Sequence, residues 1–194
     1  MPLRRIVVPL AISALALAAL SGCVPTPSPS PTDTSTDAQS DTPSASPTPS
    51  PTASVISIPI TIDCSTLITP DDIYAFNPNF GQIDNWTPKN GSAAATAKSE
   101  QGIACRWSNQ TSGDTIDVSV AHLDDATIEG LKNDAVEKST MVPTYGDEAY
   151  FSVDGGVGTA IVFQGDYWLV ATSVDFAEPG DPADLITAAL GALN

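Results

Sequence analysis

The chain has 194 residues and a formal net charge of −16, with 23 acidic side chains against 7 lysines and arginines. That length suits one ordinary domain, but the composition is too uneven for a single core to hold all of it. Without Arg4 and Arg5 near the start and Asp33, Asp37 and Asp41 further on, 20 acids still face 5 bases, a field that repels phosphate backbones and excludes nucleic acid as a partner.

Residues 1–5 are short and basic, residues 6–20 form an apolar run, and the small residues Ser21 and Gly22 precede Cys23. This is the layout of a signal peptide (1–22); a membrane span needs ~20 apolar residues. Leu20-Ser21-Gly22-Cys23 has the form of a bacterial lipobox, in which the thiol of Cys23 is alkylated by a diacylglyceryl group and becomes the first mature residue. One acyl chain holds only marginally, so two or more anchor a protein stably. The expected location is the extracytoplasmic face of the membrane, reached through lipid and without a transmembrane helix.

Residues 24–54 contain 8 Pro, 8 Ser and 7 Thr, so 23–54 reads as the lipidated Cys23 followed by a disordered spacer. As a flexible coil it would average ~30 Å end to end, and as an extended polyproline-like segment up to ~95 Å. The remaining residues, 55–194, suffice for one domain. With Cys23 lipidated, two of the three cysteines remain. Outside the cytoplasm Cys64 and Cys105 should be oxidised to one disulfide, closing a loop that contributes roughly 4 kcal/mol on the chain-entropy model.

Ile56, Ile58, Ile60 and Ile62 alternate with Ser57, Pro59 and Thr61, the two-residue period of a half-buried strand over 54–63. Pro59 donates no hydrogen bond, so the segment is an edge strand or a lead-in. Thr69-Pro70-Asp71-Asp72 starts a short helix that should run to about Asn77, where Pro78 stops it. Residues 79–101 read as a long loop with one weak helical turn. Residues 103–108 and 115–123 form a hairpin around Ser112-Gly113-Asp114. Asp124 and Asp125 open an amphipathic helix to about Lys138, with Ile128, Leu131 and Ala135 on one side. Residues 141–146 turn into a strand over 149–153.

Asp154-Gly155-Gly156-Val157-Gly158 resembles a phosphate-cradling loop only superficially. It has no following helix and no Lys, so it reads as a hairpin loop. Residues 159–174 are two apolar runs about Gly165-Asp166, a pair suited to a type II′ turn. That turn sets Gln164 opposite Tyr167, Phe163 opposite Trp168, Val162 opposite Leu169 and Ile161 opposite Val170. One face then carries Ile161, Phe163, Trp168 and Val170, and the other Val162, Tyr167 and Leu169. Asp181-Pro182-Ala183-Asp184 starts a C-terminal helix with Ile186, Ala189, Leu190 and Leu193 at helical spacing. The expected fold is α+β: an antiparallel sheet with flanking helices and one disulfide.

The segments Asp63-Cys64-Ser65-Thr66-Leu67-Ile68-Thr69-Pro70-Asp71-Asp72, Gly102-Ile103-Ala104-Cys105-Arg106-Trp107 and Gly146-Asp147-Glu148-Ala149, together with the lipobox and the linker, resemble the uncharacterised lipoproteins common in actinobacteria. The resemblance covers nearly the whole chain. It implies the Cys64–Cys105 disulfide and an envelope location, and it brings no catalytic residue with it.

Chemistry is sparse. His122, the one histidine, falls at a strand end on the side of Val118 and Val120, where a structural role is expected; Asp124 and Asp125 nearby do not make a zinc signature. The pairs Asp71/Asp72, Asp124/Asp125 and Asp147/Glu148 could do acid/base work only if burial separated their pKa values, and each stands where a helix or strand begins. Loop oxygens for calcium are plentiful, but an EF-hand spacing is missing. Trp86, Tyr74, Phe76 and Phe80 could stack on a sugar ring, with packing beneath the long loop the simpler reading. The sequons at Asn85, Asn90 and Asn109 mark surface loops. No catalytic residue, metal or cofactor is expected. The reading is a lipid-anchored envelope protein whose non-catalytic domain binds an unidentified ligand: an envelope protein, a glycan or a small molecule. The alternatives are an envelope hydrolase using paired carboxylates and a structural partner in a membrane complex.

Overall fold

The computed structural model describes residues 57–194. The leader, Cys23, the linker and the first residues of the expected 54–63 strand lie outside the described residues. From residue 57 the chain makes a single bridge, Ile58 to His122, and one further backbone hydrogen bond, Ile60 N–H to the Gln101 carbonyl at 3.0 Å. Ile60 and Ile62 pack against the core while Ile58 stays exposed. The segment is therefore a lead-in along the sheet edge: the Ile58 and Ile60 amides both face the domain, while Pro59, between them, falls where an amide would point outward and none is needed.

A single helical turn, α1 (Cys64–Leu67), buries Leu67 and leads to α2 (Pro70–Phe76). The start of α2 is a reciprocal capping box. Thr69 Oγ1 accepts from the Asp72 amide at 3.3 Å and Asp72 Oδ2 accepts from the Thr69 amide at 3.0 Å. The helix ends before Pro78, as expected.

Residues 79–101, expected as a loop with one weak helical turn, contain a strand and a helix. β1 (Phe80–Gln82) is three residues long, too short for a periodic signature, and exists because β2 (Ile103–Asn109) pairs with it. α3 (Ala93–Ser99) is capped by Ser92, whose hydroxyl accepts from the Ala95 amide at 3.2 Å, and it buries Ala94 and Ala97.

β2 and β3 (Thr115–His122) form the expected hairpin. α4 (Asp125–Lys138) starts at Asp124, whose Oδ1 accepts from the Ala126 and Thr127 amides at 3.0 and 3.1 Å. Next come β4 (Thr140–Met141), β5 (Glu148–Asp154), β6 (Val157–Gln164), β7 (Tyr167–Ser173) and α5 (Ala183–Gly191).

The β6–β7 register is the one expected, from Gln164 opposite Tyr167 to Ile161 opposite Val170. Gly165 has φ 53° while Asp166 is not in the left-handed region, as a II′ turn requires. Asp181 does not cap α5. Its Oδ2 accepts from the Ala177 and Glu178 amides, both at 2.8 Å, and Pro182 stands before the helix without a side-chain cap.

The strands make one antiparallel sheet in the order β1-β2-β3-β7-β6-β5-β4. Strand alternation divides the interior in two. On one face Leu67, Ile73, Leu185 and Ile186 of α1, α2 and α5 cover Cys105, Trp107, Val118, Val120, Val162 and Leu169. On the other, Ala97 of α3 and Ile128 and Ala135 of α4 cover Ala121, Phe163, Trp168 and Val170. The fold is thus α+β, with a seven-stranded antiparallel sheet between helices. The Cys64–Cys105 disulfide, with Cα atoms 5.5 Å apart, ties the start of α1 to β2. No helix among the described residues is long and apolar enough to cross a membrane.

Tyr145, between β4 and β5, is buried in the first face, and its hydroxyl has no hydrogen-bond partner among the described residues. Burial pushes its phenol up from 10.0 to about 12. The fold thus favours the neutral phenol, and this stability is present below about pH 10 and lost as pH rises toward about 12. Tyr145→Phe removes an unpaired hydroxyl. It should leave stability at neutral pH unchanged or up to about 1 kcal/mol higher, and reduce the alkaline loss. Urea unfolding at pH 7 and 11 measures both; a clear destabilisation at pH 7 would contradict the burial argument.

Candidate functional site

The sheet separates most of the candidate residues. His122 sits at the end of β3 on the first face, its ring edge-to-face with Tyr167 at 4.8 Å. Its Nδ1 is buried without a hydrogen-bond partner among the described residues. Two adjoining clefts of about 220 and 190 Å³ flank it, walled by Ile60, Leu190 and Leu193 among others. Among the described residues no group of three or more His, Cys, Asp or Glu is placed to hold a metal ion.

The carboxylate pairs diverge to separate structural work. Asp72 closes the capping box of α2. Asp124 caps α4, and hydrogen bonds from the Thr127 hydroxyl and amide hold its pKa below the usual value. Asp147 Oδ2 accepts from the Gly165 amide at 2.9 Å. Glu148 accepts from the Tyr150 hydroxyl and pairs with Lys132 of α4 at 3.3 Å. That first bond, with burial, pushes the Tyr150 phenol up to about 12. These four carboxylates thus stabilise helix starts, a turn and a helix–sheet junction, while Asp71 and Asp125 stand exposed in the first turns of α2 and α4.

The four aromatic residues do not form one platform. Phe76 packs edge-to-face with Phe80 and Phe176, at centroid distances of 6.0 and 6.1 Å, inside the first face. Tyr74 is exposed on α2. Trp86 alone belongs to a built polar site. The Arg106 guanidinium lies over its ring, 4.1 Å from the centroid. Arg106 Nε and Nη2 in turn donate to Asp117 Oδ1 and Oδ2, each at 2.6 Å. The fork pairs two planar groups and raises the Arg106 pKa, chiefly through the Asp117 hydrogen bond.

Arg106 and Asp117 are direct cross-strand partners in the β2–β3 hairpin, so opposite charges meet where the register puts them. The hairpin was legible in the chain, but this pairing becomes visible only once the register is written out from the turn.

Beside this stack lies a groove of about 310 Å³, lined by Gln82 at the end of β1, by Asp84, Asn85 and Trp86 from the segment that follows it, and by Lys98 of α3. Gln82 Nε2 donates to Asp84 Oδ1 at 2.8 Å. Asn85 turns the chain out of the strand direction with φ 57°, a left-handed conformation that Asn tolerates better than most residues. Backbone pairing with β2 continues only as far as the Ile83 amide, bonded to the Arg106 carbonyl at 2.8 Å, and Ala104 of β2 forms part of the groove wall beyond it.

The other motifs keep their structural readings. Gly155 and Gly156, with φ 56° and 84°, make the β5–β6 turn. Asn85 and Asn90 lie in exposed loops, whereas Asn109 ends β2 and its side chain accepts from the Thr111 and Ser112 amides. Comparison with protein-family models, curated proteins and solved structures found no match to this chain.

Proposed function

We propose that the chain is a lipid-anchored envelope protein of the extracytoplasmic membrane face, akin to the actinobacterial lipoproteins it resembles, and that its domain binds a ligand without transforming it. The observation that carries the binding role is the Trp86–Arg106–Asp117 stack beside an open polar groove. An aromatic ring already fixed from one side loses little freedom when it meets a ligand. The catalytic alternative is disfavoured by the work its carboxylates already do, since Asp72, Asp124, Asp147 and Glu148 are all hydrogen-bonded to the fold itself. The Cys64–Cys105 bond supports a location outside the cytoplasm, where disulfides persist. Cys23 lies outside the described residues, and its role rests on the lipobox sequence.

Two measurements test this reading. Cys23→Ala should abolish acyl labelling and leave the protein released or unprocessed; continued labelling would remove the anchor. Purified protein should not cleave envelope glycans or peptides. Cleavage that disappears on substitution of His122 or of a paired carboxylate would replace the binding role with an enzymatic one.

A further inference from the structure

We propose that the groove beside Trp86 binds a neutral, hydroxyl-rich sugar ring stacked on the indole. This rests on the reading of the chain as a binding protein and names the ligand class of that same site. Arg106 covers the indole from one side, and Asp117 locks Arg106 by a two-pronged pairing at 2.6 Å. The half-buried indole is left to line the groove as a fixed apolar surface. A pyranose presents a flat face of C–H groups to such a surface, and Trp offers it a large contact area at little entropic cost.

The polar lining decides between sugars and other flat ligands. The Gln82 and Asn85 amides both donate and accept, Asp84 accepts and Lys98 donates. A hydroxyl also does both, so a sugar can satisfy these groups in several arrangements. A purely apolar ligand would leave them desolvated and unpaired, at about 1–3 kcal/mol for each buried group.

Charge narrows the class further. The groove carries one carboxylate, Asp84, and one ammonium, Lys98. The chain around it is strongly acidic, with a net charge of −16. Anionic saccharides are therefore repelled at long range without a surplus of cations in the groove to recover them. A volume of about 310 Å³ stands at the lower end of small-ligand sites, ~300–1,000 Å³. The ligand is thus a short stretch of a glycan.

The test is a fluorescence titration of the full chain in detergent with maltotriose, cellotriose, mannotriose, N-acetylchitotriose and, as the charged probe, trigalacturonate. Trp107 and Trp168 are buried, so Trp86 is the indole positioned to respond. At least one neutral trisaccharide should give a saturable change. Calorimetric titration with that sugar should show the affinity falling about tenfold or more in Trp86→Ala, less in Trp86→Phe, and not at all in Tyr74→Ala. No saturable change with any neutral sugar at millimolar concentration, tighter binding of trigalacturonate, or equal affinity in Trp86→Ala overturns the proposal. A photo-crosslinking side chain at Asn85, tested in native membranes, separates the two levels. Trp86-dependent crosslinks to a protein or lipid without sugar binding sink the glycan assignment and keep the binding role; failure of both sinks both.

Discussion

Replacing Cys64 and Cys105 together by alanine should lower the stability of the domain by roughly 4 kcal/mol, the chain-entropy value for releasing a loop of this length. The bond spans a sequence separation of 41 residues and Cys105 is fully buried, so the loop constraint and the packing at the β2 end are lost together. From the sequence, residues 78–101 would loosen first, because nothing else is seen to hold them. The structure moves the weak point. β1 is paired to β2, and α3 is fastened through Ala94 and Ala97, so that stretch keeps anchors of its own. α1 has one turn, no side-chain cap and the disulfide at its first residue.

Residues 57–68 should therefore lose amide protection before β1 and α3 do. Urea unfolding and hydrogen exchange of the oxidised chain and the double variant measure both effects. An unchanged unfolding midpoint, or loss of protection beginning in α3, would contradict this account.

The second large effect is expected where β6 meets the segment after β7. Phe176 is completely buried, packed edge-to-face on Phe76, and its backbone lies against Gly158. Phe176→Ala should cost about 3–5 kcal/mol, the range for emptying a buried aromatic site. Gly158→Ala attacks the same joint from the opposite side. An added Cβ would stand 1.9 Å from the Phe176 carbonyl oxygen and 2.6 Å from its Cβ. Backbone must move to admit it, so a loss of about 1–3 kcal/mol or more is expected. The two substitutions share one contact, so their effects should not add. Thermal unfolding of the two single variants and the double variant decides the matter; simple additivity would mean that the segment and the strand are not coupled here.

Features set by neighbouring residues were readable in the chain because their physics is local. Thr69 was legible as the cap of α2, with Asp71 and Asp72 in its first turn, and Asp124 as the start of α4, whose amides two and three residues on it caps; that Asp72 also returns a bond to the Thr69 amide is what the structure added. The Gly165-Asp166 turn likewise sets the β6–β7 register, and with it which of Ile161 to Val170 faces which half of the core. The pairing of Cys64 with Cys105 followed from the number of cysteines and the expected compartment.

What only the tertiary structure decided depends on partners distant in the chain. β1 has three residues and no pattern of its own, and it is a strand because β2 offers it a ladder. The isoleucines from Ile58 to Ile62 have a strand's pattern that left an edge strand and a lead-in both open, and the structure makes them a lead-in because their amides reach two separate carbonyls, His122 and Gln101, with one bridge between them. Asp181 has a helix-starting sequence, but the amides of Ala177 and Glu178 take its carboxylate first. The candidate site shows the same division. Trp86 stood out only as one of four aromatic candidates, and nothing local links it to Arg106 or Asp117. They come together because the β2–β3 register sets Arg106 opposite Asp117 and the segment after β1 lays Trp86 against the guanidinium. Periodicity reports how one element faces the core; which side chains meet across elements is settled by the register and packing of the whole sheet.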